Sequence, residues 1–139
     1  MAMDIKGLVH TENGRGSRRI LVEKDIYQQE LERIFAQGWL FLCYESQIPK
    51  PGDFFTSRMG EGPVLVVGDR NGKVNALVNI CNHRGNRLGR ADSGNASSFT
   101  CSHHGWAYSN DGNPERIPSL KDIYYEKLEL DKRGLSRVA

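Results

Sequence analysis

The chain is poor in the features that would place it in a membrane, a disulfide scaffold or a nucleic-acid complex. No apolar run approaches the roughly twenty residues of a bilayer span, and Met1 to Arg19 lacks the apolar stretch of a secretory signal. Cysteine is scarce. Three thiols in 139 residues suit a reducing compartment, where disulfides are rare, so the expected location is cytoplasmic. A net charge of +2, with both signs interspersed, makes no case for nucleic acid. Internal repeats and low-complexity tracts are missing, and Asp92, Asp111, Asp122 and the glutamates form no pair suggestive of acid–base catalysis. Histidine is as sparse as cysteine, with four residues, of which His10 alone lies outside one short region.

That region holds the chemistry. Cys81-Asn82-His83-Arg84-Gly85 is followed, with seventeen residues between His83 and Cys101, by Cys101-Ser102-His103-His104-Gly105-Trp106. Each stretch offers one thiolate and one imidazole to a metal. Four donors of two kinds, split evenly between two loops, match a [2Fe–2S] centre in which two Cys hold one iron and two His the other. The glycine after each pair supplies backbone freedom and close approach that a Cβ would obstruct. A Cys2His2 set also holds zinc tetrahedrally, although zinc spacings usually repeat C-x2-C or H-x3-5-H rather than one Cys and one His per loop. Four uncoordinated residues are the remaining alternative. In the second loop His103 repeats the C-x-H spacing of the first, so His103 and His104 compete for one role.

The pattern C-x-H-R-G followed by C-x-x-H-G-W resembles the Rieske motif of bacterial ring-hydroxylating oxygenases. Arg19 to Tyr27, Trp39 to Leu42 and Ile48 to Phe54 are similar to the opening of the large (α) subunits of aromatic-ring dioxygenases of the naphthalene and biphenyl type. The likeness runs from about residue 19 to the end of the chain. It implies Cys81, His83, Cys101 and His104 as ligands of a [2Fe–2S] cluster, with Arg84, Gly85, Gly105, Trp106 and Tyr108 around it. His103 stands where the family usually has Tyr, which makes it a neighbour of the ligand His104.

Two ferric irons, two sulfides and two thiolates sum to a neutral oxidised cluster when both imidazoles are neutral, whereas four thiolates leave a dianion. Replacing thiolates by imidazoles therefore raises the potential, to about −150 mV or above against about −400 mV for plant-type ferredoxins. Tyr108, four residues after His104, resembles the tyrosine whose hydroxyl bonds a cluster cysteine in respiratory Rieske proteins; the alternative is a strand tyrosine with its hydroxyl in water. Trp106 replaces the small hydroxyl residue of those proteins. Their loop disulfide has no counterpart, since Cys43, in the apolar run Leu40 to Tyr44, is the single cysteine left over. Both departures point to a low-potential, oxygenase-type centre.

Along the chain, Thr11 to Arg19 reads as a mobile arm. Asp25 with Gln28 has capping-box spacing, and Ile26, Tyr27, Leu31, Ile34 and Phe35 share a face, predicting a helix from Lys24 to Gln37. Beyond Gly38 the pattern is mainly β. Runs at Trp39–Glu45, Phe54–Met59, Val64–Asp69, Lys73–Ile80, Ser98–Thr100 and Trp106–Ser109 alternate with turn signals, of which Asn71-Gly72 is the strongest and Asn110 to Asn113 the last. The expected architecture is an arm and helix over residues 1–37, then a Rieske domain over 38–139. That domain is a small antiparallel barrel or sandwich with both loops at its tip.

The resemblance implies more than the chain contains. In the family, oxygen is activated at a mononuclear Fe(II) held by two His and one carboxylate in a later domain; no histidine follows His104. The family's Rieske domain also runs on past the position of Ala139 with strands that close its sheets. The chain is thus expected to move electrons without hydroxylating anything, fed by a ferredoxin or reductase and partnered by a small β subunit and further α subunits. Arg84, Arg87 and Arg90 recur every third residue and read either as a basic rim that steers an acidic ferredoxin or as a solvated turn. A free-standing Rieske ferredoxin is the rival redox reading, although such proteins generally lack the helix and the lead-in from Trp39 to Phe54. A zinc-stabilised interaction module is the non-redox one.

Overall fold

The computed structural model describes residues 7–138, which fall into two compact units divided between Leu40 and Phe41. In the first unit Val9–His10 (β1) and Arg15–Gly16 (β2) form a short antiparallel hairpin where the sequence predicts a mobile arm. Asn13 makes the turn: its N–H donates to His10 O and its side-chain oxygen accepts from Arg15 N at 3.1 Å. Two helices come next, Arg19–Val22 (α1) and Lys24–Glu30 (α2). The predicted single helix is therefore only partly correct. Glu23 caps α2 without a side-chain bond, Asp25 lies inside the first turn, and the Gln28 amide donates to Glu32 at 2.7 Å instead of completing a capping box. Beyond Glu30 the backbone widens into a π-helical turn over Leu31–Phe35, closed by Ala36 N–H to Leu31 O at 2.8 Å. Leu8 and Ile26 are buried, while Leu21, Val22, Tyr27 and Ile34 are exposed.

The second unit is β. A four-stranded antiparallel sheet has the order β5-β4-β3-β6, built from Asp53–Met59 (β3), Gly62–Gly68 (β4), Val74–Val78 (β5) and Ser93–Asn95 (β6). A three-stranded sheet pairs Ser98–Thr100 (β7), Ala107–Ser109 (β8) and Pro114–Arg116 (β9) in chain order. The unbroken apolar run Val64 to Val67 belongs to the inner strand β4, buried on both faces as such runs demand. Leu65 and Val67 join Phe54, Leu77, Phe99 and Tyr108 in the main core; Val64 and Val66 face the other way, onto Ile48, Leu42 and Cys43. Cys43 is thus the small, partly buried hydrophobe its sequence setting suggests.

The β4–β5 turn closes where Asn71-Gly72 predicts it, with three loop residues, Arg70 to Gly72, between Asp69 and Lys73. The Asp69 carboxylate accepts from the N–H groups of Asn71 and Lys73. A strand at Trp39–Glu45 does not form: residues 39–44 run without ladder partners into a 3-10 turn at Glu45–Gln47. The free edge of β5 is occupied by the chain's end instead, through Val78 N–H to Ser136 O and Val138 N–H to Ala76 O, at 2.8 and 2.9 Å. Covering that edge blocks further pairing there.

Candidate metal centre

Two turns of the same design meet at one end of the β unit. In the first, which leaves β5, Cys81 N–H donates to Asn86 O and Cys81 O accepts from Gly85 N–H, at 2.8 and 3.0 Å. In the second, which joins β7 to β8, Cys101 N–H donates to Trp106 O and Cys101 O accepts from Gly105 N–H, at 2.7 and 2.9 Å. Gly85 and Gly105 close these turns at φ of 76° and 73°, a left-handed conformation costly for residues with a Cβ. At Gly105 a Cβ would also come within 3.1 Å of Pro118. The repeated geometry explains why each Cys is followed by Gly at the fifth position of its loop.

The design brings the candidate ligands together. Both thiols are buried, and Cys81 Sγ lies 3.4 Å from the hydroxyl of Tyr108, which is fully buried and also accepts from Asn82 N–H at 3.1 Å. The Tyr108 hydroxyl is therefore not in water. Cys101 Sγ faces the Asn86 amide at 3.6 Å. The His83 and His104 rings lie 4.6 Å apart, and Trp106 stacks flat on His83 at 4.8 Å and 6°. His103 occupies the same turn position as His83, but its side chain is exposed, with its ring 3.9 Å from that of His104.

Burial, aided by the positive Arg84 and by His103, pushes the His83 pKa down. Burial likewise lowers that of His104, with His103, His83 and Arg84 adding to it. Both shifts favour the neutral ring, the form in which imidazole binds metal. Burial raises the Cys81 thiol, opposed by the Tyr108 hydroxyl and the His83 N–H. At Cys101 burial is outweighed by donors, the N–H groups of His103 and His104 and the Asn86 amide, which draw the thiol toward thiolate.

His83 Nδ1 is buried with no hydrogen-bond partner. A buried nitrogen with a free lone pair costs on the order of 1–3 kcal/mol unless something binds it. Together with two buried thiols beside N–H donors, it fits a metal centre that takes nitrogen and sulfur. A mononuclear zinc site needs at least three protein donors about one point. A two-iron cluster asks two donors of the protein per iron, the division that two thiols and two imidazoles offer.

Several contributors carry little or no mark in the sequence. Asn79, fully buried, clamps the first loop by donating to Gly89 O and accepting from Gly89 N–H, both at 2.8 Å. Arg90 ties the loops together by donating to Ser102 Oγ at 2.8 Å, and Arg87 turns back onto Gly89 O, so of the three periodic arginines Arg84 alone makes no hydrogen bond among the described residues. Asn86 and Tyr124 touch candidate ligands directly. Asn86 is open to suspicion because it adjoins the motif glycine; Tyr124, an aromatic in a polar stretch, carries no signal.

A mainly β unit of two antiparallel sheets, with a pair of matched Cys/His turns at one end, is the architecture of an iron–sulfur electron carrier. A family model described as the Rieske [2Fe-2S] domain matches residues 38–129. The chain belongs to that family. The α subunit of biphenyl 2,3-dioxygenase from Rhodococcus jostii is 53% identical over 115 residues, covering 83% of this chain and 25% of the relative. The α subunit of benzene 1,2-dioxygenase from Pseudomonas putida is 50% identical over 115 residues, 83% of this chain and 26% of its own. A solved naphthalene 1,2-dioxygenase with indole in its active site superposes with a TM-score of 0.86 at 40% identity, over 96% of this chain and 30% of that one. The chain thus spans 25–30% of the length of these relatives.

Proposed function

We propose that this chain is the electron-transfer portion of the α subunit of an aromatic-ring-hydroxylating dioxygenase, with Cys81, His83, Cys101 and His104 as the protein ligands of its [2Fe–2S] cluster. Electrons arrive from a ferredoxin or reductase and leave for a mononuclear iron in a catalytic domain outside this sequence. The observation that carries the reading is the buried, unpartnered Nδ1 of His83 beside two buried thiols at the heads of matched turns. The dioxygenase assignment is supported by the similarity to biphenyl and benzene dioxygenase α subunits.

Bound there, the cluster supplies a one-electron couple at about −150 mV or above. The protein's part is to hold and tune it. Backbone N–H groups, the Tyr108 hydroxyl and the Asn86 amide offset negative charge on the sulfurs, which favours the reduced form. Trp106, buried and flat against His83, keeps water off one face of that ring. Arg84, exposed beside the histidines, presents positive charge to an acidic donor protein. A reducing cytoplasmic setting, a small β subunit and further α subunits complete the proposal.

The test is direct. Purified chain should be coloured and contain iron and acid-labile sulfide in equal amounts, and Cys101→Ser should be colourless. A colourless wild-type protein that carries zinc and no sulfide overturns the redox reading; a folded, coloured Cys101→Ser variant overturns the ligand assignment.

A further inference from the structure

Tyr124 lies far from both motifs in the sequence, yet its hydroxyl sits 3.4 Å from Nε2 of His83. Its ring meets Trp106 edge-on at 6.1 Å and 76°, and Trp106 in turn stacks on His83. Tyr124 also packs on the main core, together with Ile117 and Leu128 from the same stretch of chain. This stretch holds all three non-glycine residues found at positive φ among the described residues: Ser119, Tyr125 and Glu126, at 54°, 52° and 56°. Such conformations cost on the order of 1 kcal/mol or more each and persist where the surroundings over-determine them. Two of the three directly follow Tyr124, so the strained backbone lies where the strap delivers that side chain to His83.

We infer that Tyr124 is a positioning residue that sets the tautomer, orientation and donor strength of His83 through its hydroxyl. The inference rests on His83 being an iron ligand. A neutral imidazole carries one proton. With Nδ1 buried and free of partners, the proton belongs on Nε2, which donates to the Tyr124 oxygen and leaves the Nδ1 lone pair for metal. Trp106 fixes the plane of the ring and Tyr124 fixes its rotation within that plane. An acceptor on the remote N–H makes the imidazole a stronger donor, as outer-shell partners of metal-bound histidines do, and so favours the oxidised form. Among the described residues His104 has no hydrogen-bonding side chain at its ring, so the two imidazoles are inequivalent.

The experiment compares the cluster-loaded chain with its Tyr124→Phe variant, which keeps the ring against Trp106 and removes the hydroxyl. The exposed neighbour provides a control as Tyr125→Phe. Iron and sulfide content reports on the cluster itself; if wild type lacks both, the proposed function falls and this inference with it. With the cluster present, Tyr124→Phe should retain it and show a higher midpoint potential, a few-fold and at most about tenfold change in the oxidised-to-reduced ratio at fixed potential, tenfold being about 59 mV for one electron. Tyr125→Phe should match wild type. A loaded Tyr124→Phe variant with wild-type potential overturns the inference while leaving the cluster assignment intact. Should Tyr124→Phe lose the cluster, pulsed electron paramagnetic resonance of the reduced wild-type protein decides. Two distinct remote imidazole nitrogens support the inference, and two identical ones overturn it.

Discussion

At Tyr108 one hydroxyl has two tasks. It lies against Cys81 Sγ and accepts from Asn82 N–H, and burial, followed by the neighbouring Cys81, pushes its pKa well up, which leaves its proton available to a sulfur that has lost its own. A donor to a cluster sulfur favours the reduced, more negative form. Tyr108→Phe should therefore lower the midpoint potential, opposite in sign to Tyr124→Phe, and cost about 1–2 kcal/mol because Asn82 N–H loses its acceptor. Voltammetry and thermal unfolding of the loaded variant read both effects; a potential at or above that of wild type refutes the donor role. His103 provides the contrasting case. Exposed and tilted against His104, it should accept Tyr with cluster content unchanged, and bleaching of His103→Tyr would exchange the two histidines' roles. The ligand candidates and their glycines are legible in the sequence because short loops force donors into fixed spacings, while Tyr108 on β8 stands out only through the family resemblance. Asn79 and Tyr124 are not, because a polar side chain that completes a site from outside the motif leaves no local period or spacing behind.

Strands with an apolar, alternating or continuous pattern are readable from the sequence: β3, β4, β5, β7 and β8 each coincide with a predicted run to within two residues at the ends. The polar strands β6 and β9 form because a neighbour offers an open edge, Asp53 to Phe55 for β6 and Ala107 to Tyr108 for β9, and no sequence period records that offer. The predicted strand from Trp39 is absent because residues 39–44 have no ladder partner, while residues 136–138 hold the edge of β5. The same logic governs the first Cys/His loop. Its return from β5 toward β6 is fixed by the paired bonds between Asn79 and Gly89, both buried. Asn79→Ala would leave a buried N–H and C=O unmet, at a cost of about 2–3 kcal/mol. Thermal unfolding should show a clear drop in midpoint, beside a change near zero for Asn71→Ala on the exposed β4–β5 turn. Equal midpoints for the two variants would mean that the loop is held by the metal alone.

Across the whole β unit, the two Cys/His turns are part of the core rather than an appendage to it. Cys81, Cys101 and Trp106 share one buried cluster with Leu65, Val67 and Leu77 of the larger sheet and with Phe99 and Tyr108 of the smaller. The sheets are unequal in self-sufficiency. The inner strand β4 is seven residues long and buried on both faces, whereas the smaller sheet consists of three strands of three residues each, with the second turn forming the link from β7 to β8. Metal bonds substitute for packing where a domain has little of it, so their loss should be felt unevenly. Stripping the iron with a chelator under reducing conditions should lower the thermal midpoint and raise amide exchange first in Cys81 to Gly85, Cys101 to Gly105 and β7 to β9. The amides of β4 should hold out longest. If the smaller sheet stays as protected as β4 after the iron is gone, the core is complete without the cluster, and the coupling between metal and fold drawn from this packing is wrong.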